Sequence, residues 1–184
     1  MICNKLTQCY KKRIYNKVLS DCSNPNVKCV LFSDDRSRPK CEEKGKTYIL
    51  DNTMNNHVVC FKVDGGIIAD DKNVPQRTER CDYMFCINNH DDLCVILIEL
   101  KGTNVSKALE QLHKTCELYK DFLKSFPLVV CRAIVTNSVP KIKSAPEYVK
   151  LWRCLSSYNG NSDNVKMIHI EERNYTEKDT DILK

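Results

Sequence analysis

The sequence predicts an α/β fold, a central mixed β-sheet flanked by helices, carried on a single domain spanning residues 1–184. Three observations lead there. Apolar residues recur at helical spacing over 2–19 and again over 105–126. Strand-length apolar runs occupy 57–63, 81–88, 93–100 and 128–136. The order of these elements, helix, three strands, helix, strand, helix, strand, interleaves the two types as a sheet with helices packed on it requires. A chain of 184 residues suffices for one domain with a real core and is tight for two.

The first helix is drawn by Ile2, Leu6, Cys9, Tyr10, Ile14 and Val18, with Lys5, Lys11, Lys12 and Lys17 on the opposite face. Residues 20–46 read as irregular, with a short apolar patch at 29–32 and a cysteine-containing, polar composition. A short strand is expected at 47–50, then a turn at 51–56 and the strand "HVVCFKV". "DGG" at 64–66 is a tight turn in which glycine supplies positive φ without steric cost, and a polar excursion follows over 70–79. The runs 81–88 and 93–100 form a hairpin through the "NHDD" turn. Asn104 is placed to cap the helix 105–126 and Pro127 to end it. After the strand 128–136 come a loop with two prolines, a short helix at 147–158, a strand at 165–170 and a polar tail, 171–184, expected to fray.

Composition excludes several classes. The chain is 42% hydrophobic and 29% charged with a net charge of +5, a folded rather than disordered profile, and one compatible with nucleic acid without demanding it. No apolar run approaches a membrane span, and the N-terminus lacks the apolar core of a secretory signal. Twelve cysteines with no C-x-x-C, several of them inside apolar strands, read as reduced thiols in a cytoplasmic protein. The zinc arrangement the spacing leaves open would use Cys22, Cys29, Cys41 and a fourth ligand such as Cys60 or His57. His57, His90, His113 and His169 have no metal-ligand spacing and read as surface or turn residues, and there is no phosphate-binding glycine loop or nucleophile elbow.

The informative stretch is "CDYMFCINNHDDLCVILIELKG", residues 81–102, where Glu99 interrupts a strand apolar on both faces. A turn centred between His90 and Asp91 sets Asp82 opposite Glu99, and strand alternation puts Lys101 on the face of Glu99. Two opposed carboxylates at the end of a buried strand are destabilising unless something neutralises them. A divalent cation between Asp82 and Glu99, with the backbone carbonyl of Leu100 as a third ligand, reverses that balance, and oxygen donors suit Mg²⁺ or Mn²⁺. Lys101 would then orient the attacking water and balance phosphate charge.

Asp-x(16)-Glu-x-Lys on consecutive strands followed by a helix resembles the PD-(D/E)xK nuclease superfamily, over roughly residues 57–136. Asp82 matches the first acidic motif and Glu99-Leu100-Lys101 the ExK tripeptide, while Gln111 is similar to a glutamine found on that helix in RecB-like members. The resemblance implies a restriction-endonuclease-like core, with Asp82, Glu99, Lys101 and Gln111 as catalytic residues. It also implies Mg²⁺ or Mn²⁺ as cofactor, DNA as the partner, and a role in restriction, repair or defence. Cutting both strands of a duplex at this size calls for a homodimer. There are departures: Cys81 stands where the motif has proline, and residues 2–19 hold no acid, so the further carboxylate of some members is missing or comes from elsewhere, such as Glu42 or Glu43, while Asp64 reads as a turn residue. The rival expectations are an inactive binding module on the same fold and a small zinc-stabilised protein.

Overall fold

The computed structural model describes residues 2–15, 29–67, 74, 75, 77–89, 92–136, 142–159 and 167–183. In chain order the elements are α1 (Ile2–Tyr15), β1 (Val30–Asp34), β2 (Lys40–Glu43), β3 (Lys46–Asp51), β4 (His57–Lys62), β5 (Tyr83–Asn89), β6 (Asp92–Leu100), α2 (Val105–Leu118), α3 (Lys120–Leu123), β7 (Leu128–Val135), α4 (Pro146–Asn159), β8 (Ile168–Glu172), β9 (Asn174–Lys178) and α5 (Asp179–Ile182). A six-stranded sheet runs in the order β1-β4-β5-β6-β7-β8, and a three-stranded sheet in the order β2-β3-β9. The larger sheet is mixed, antiparallel from β1 to β6 and parallel from β6 to β8.

Alternation along the strands sorts the side chains into two cores. Val59, Phe61, Met84, Cys86, Val95, Leu97, Val129 and Cys131 pack under α1, α2 and α4. Val58, Cys60, Phe85, Ile87, Ile96, Ile98, Val130 and Ile134 pack against Tyr48 and Leu50 of the small sheet and Ile182 of α5. Central strands buried on both faces are apolar at nearly every position, which is why 93–100 shows no two-residue alternation. The parallel pair β6–β7 requires a crossover, and α2 with α3 supplies it.

The hairpin forms in the expected register, Tyr83↔Ile98 through Asn89↔Asp92; its turn residues His90 and Asp91 lie outside the described residues. Asn104 caps α2, its side chain accepting from the Lys107 N–H at 2.9 Å. Four expectations change. The segment 20–46 is not irregular throughout: β1 pairs with β4, and β2 turns into β3 through Lys44 and Gly45, whose φ values of 49° and 75° make the twisted two-residue loop that hairpins favour. The strand at 47–50 is found, but in the small sheet. The helix expected over 105–126 breaks at Tyr119 (φ −104°, ψ 19°), a bend that lets Phe122 and Phe126 stack against each other and Tyr10 of α1 at 4.9–5.9 Å.

The fourth change is the tail. It does not fray: β9 pairs parallel with β3, and Glu177 and Asp179 are buried. Asp179 accepts from Thr53 Oγ1, the Met54 N–H and Asn56 Nδ2 at 2.7–2.9 Å. Arg173 (φ 58°) is the corner between sheets, its N–H donating to Val135 O and its carbonyl accepting from the Thr47 N–H. A polar tail becomes ordered when each polar group finds a partner, as happens here.

Candidate active site

The end of the large sheet where β4 and β6 finish and β5 begins collects the acids singled out above. Asp82 directly precedes β5. Its N–H donates to Ile98 O, its carbonyl accepts from the Val63 N–H, and its carboxylate Oδ2 accepts from the Leu100 N–H at 2.7 Å. That last bond holds the carboxylate against the final residues of β6. Strand alternation directs the Leu100 carbonyl to the same side as its N–H, toward Asp82, while its side chain sits in the second core.

Glu99 is 1% exposed. Lys101 Nζ stands 3.6 Å from Oε1, and Oε2 is buried with no hydrogen-bond partner among the described residues. Burial first and Asp82 second push the carboxyl up to about 9, with Lys101 only partly countering them. Asp82 is pushed up to about 6, first by burial, with the Leu100 N–H opposing and Glu43 adding. Two neighbouring acids compete for ionisation in a partly dry site, an arrangement that leaves an unmet demand for positive charge.

Further residues frame this end. Glu43, at the tip of the β2–β3 hairpin, raises both Asp82 and Glu99, and Tyr83 Oη donating to Glu42 O at 3.2 Å fixes that tip beside β5. Glu42 turns away to Lys40. Asp64 follows β4 at a bend with Gly65 (φ 65°), and Arg80 Nε donates to it at 2.7 Å. Gln111 is half engaged: Nε2 donates to Arg80 O at 2.8 Å, and Oε1 is buried without a partner among the described residues. Thr115, which the sequence reading passed over, accepts from the Cys81 N–H and donates to Gln111 O, both at 2.7 Å, docking the strand entry onto α2. A threonine one turn after Gln111 is visible in the sequence, but its target Cys81, 34 positions away, is not.

The remaining residues divide plainly. Lys107 pairs with Glu79 and with Glu110, Lys114 pairs with Glu117, and Tyr119 is core. Of the zinc candidates, Cys22 lies outside the described residues, Cys29 packs under the helices and Cys41 with Cys60 in the other core. The ten cysteines with described side chains are free thiols. Among the described residues no helix is long and apolar enough to cross a membrane.

Among the described residues no three His, Cys, Asp or Glu side chains are grouped so as to hold an ion without outside ligands. Glu99 Oε2 and Asp82 nevertheless offer two hard oxygen donors, one of them orphaned in a buried site. Mg²⁺ is bound in just this way, by one or two carboxylates with water and substrate oxygens completing the shell, so the residues fit it. No family model, no curated protein and no solved structure matches the chain.

Proposed function

We propose that the protein is a Mg²⁺- or Mn²⁺-dependent phosphodiesterase acting on DNA, built on a restriction-endonuclease-like core. The observation that carries this reading is Glu99: a carboxylate buried at the end of an otherwise apolar strand, one oxygen unpaired, facing Asp82 and only loosely met by Lys101. No stability argument accounts for such a group, since a buried polar atom without a partner costs about 1–3 kcal/mol or more when charged. A hydrophobic residue at position 99 would fill the strand at less cost.

In this reading Asp82 and Glu99 would hold the ion, with the Leu100 carbonyl on the same side, and when bound it would supply activation of a water and charge stabilisation at phosphorus. Lys101, one-third exposed, reaches from the buried carboxylate toward solvent and is placed to orient that water. Gln111 holds the backbone at Arg80, two residues before Asp82, and so keeps the acid in register. The apolar strand β6 and the two cores around it are the rigid support that keeps the donors aimed.

The test is cleavage of supercoiled plasmid and of single-stranded DNA with Mg²⁺ or Mn²⁺, against Glu99→Ala and Lys101→Ala. The expected loss is on the order of 10²-fold or more for each variant. Equal cutting by wild type and both variants would remove the assignment; absence of cutting by folded wild type would leave the fold as a binding module.

A further inference from the structure

A second cluster lies at the other end of β4 from Asp64, on the edge of the large sheet. Ser33 Oγ is 2.9 Å from His57 Nε2, and His57 Nδ1 is 2.5 Å from Asp35 Oδ1. From this geometry we infer that Ser33, His57 and Asp35 form a second hydrolytic centre, a nucleophile, its base and the acid that orients the base, acting on carboxylic esters with a short acyl group.

The pairing of β1 with β4 assembles the three. Ser33 faces Val59 and Asp34 faces Val58, so Asp35 continues the register opposite His57. Ser33 and Asp35 are two apart and share one face, and His57 lies diagonally from the first and directly across from the second. Asp34 turns to the other face, where Arg36 binds it through two contacts of 2.6 Å while lying over the Phe32 ring at 4.2 Å. Asp35 is thereby left as the acid on the face of His57.

The hydrogen bonds set the tautomer. A carboxylate only accepts, so Nδ1 carries the proton toward Asp35, and Nε2 of the neutral ring accepts from Ser33 Oγ–H. The position on the sheet also offers an oxyanion donor. Val63 N–H donates to Asp82 O and Lys62 N–H to Cys29 O, so alternation turns Cys60 and Val58 toward β1 and makes Phe32–Cys60 and Asp34–Val58 the bonded pairs. Ser33 therefore directs its own N–H off the outer edge of β1, where no described strand pairs. His57 is mostly buried and Asp35 half exposed, a shallow rim suited to a small acyl group and an alcohol or phenol leaving group.

The step balances with water alone. Ser33 Oγ bonds to the carbonyl carbon as its proton passes to His57 Nε2. The bond to the leaving oxygen breaks, and that oxygen takes the proton as the alcohol departs. Water then attacks acyl-Ser33, gives a proton to His57 and releases the carboxylic acid, and the proton returns to Ser33 Oγ.

The test uses a fluorophosphonate probe on the full chain. Ser33 displaces fluoride from phosphorus and forms a stable adduct that peptide mass mapping locates without any variant. Hydrolysis of p-nitrophenyl acetate is followed in parallel. The expected result is one adduct on Ser33, absent in Ser33→Ala and His57→Gln, about 10²-fold slower in Asp35→Asn, and unchanged in Ser156→Ala, with far-UV dichroism confirming that each variant is folded. No adduct on Ser33 in the folded wild-type protein, or an adduct forming equally fast in His57→Gln, overturns the inference.

Discussion

Two buried glutamates on the large sheet and its neighbour meet opposite treatment. Glu177 of β9, in the tail, accepts from Arg132 at 2.5 and 3.0 Å, from Tyr48 Oη at 2.7 Å and from Tyr175 Oη at 3.4 Å. Burial alone would weaken the charge on Arg132, yet Glu177 more than offsets it and the guanidinium is held above its usual range. Glu99 of β6 has one ammonium at 3.6 Å, an acid beside it and an oxygen with no partner among the described residues. The first group is saturated by the fold and so serves to hold β7, β3 and β9 together. The second is left short of positive charge by the same fold, and that shortage is what points to a ligand.

The comparison is open to breaking. The largest effect is expected at the saturated pair: Arg132→Met leaves Glu177 buried without its counter-charge and should cost about 3–5 kcal/mol in urea unfolding, with Arg132→Met combined with Glu177→Leu recovering much of it. A small loss in the single variant would mean that the network is not structural. Next comes the opposite sign at the unsaturated acid. Because the folded Glu99 carboxyl is raised to about 9 from an ordinary 4.5, the native state holds a proton that the unfolded chain releases, and stability declines as pH rises through that window. Asp82 adds a smaller decline between 3.8 and about 6.

Glu99→Gln should therefore raise Tm at pH 8 in chelator by roughly 4–8 °C, about 2 kcal/mol, and by much less at pH 5. A lower Tm at both pH values would show that Glu99 is a structural group after all. Wild type in Mg²⁺ or Mn²⁺ well above its dissociation constant should gain about 2.7 kcal/mol at a hundredfold excess, and Glu99→Gln should gain little. An equal gain in both proteins would place any bound ion elsewhere. The smallest effect is Tyr48→Phe, which removes one of several donors to Glu177 and should cost about 1.5–2 kcal/mol. No change there would mean that Arg132 alone satisfies the acid.

Much of the candidate site was legible because it is local. A hairpin has period two and a short turn, so placing its turn was enough to bring Asp82 beside the end of β6 and to set Glu99 and Lys101 on one face. The Asn104 cap and the apolar stripe of α2 were readable for the same reason. Thr115 and the Ser33–His57–Asp35 cluster were not, and Glu43 stood only as one of two alternatives, since each depends on strands or contacts distant in the chain. His57 in particular has nothing beside it in sequence that marks it as more than a turn histidine.

The tail shows where local reading stops. Arg132 lies within the apolar run 128–136, and Glu177 within the polar stretch 171–184 expected to fray. Periodicity, capping residues and turn chemistry act over a few residues, and they were sufficient for the central strands, for the presence of α1, α2 and α4 and for the hairpin register, but not for the break at Tyr119 or for α5. The short strands β1, with its apolar patch at 30–32, and the polar β2 and β9 have too short an apolar pattern to declare themselves. They exist because partners far along the chain satisfy their backbone and their charges, and that free energy appears only once the sheets are assembled.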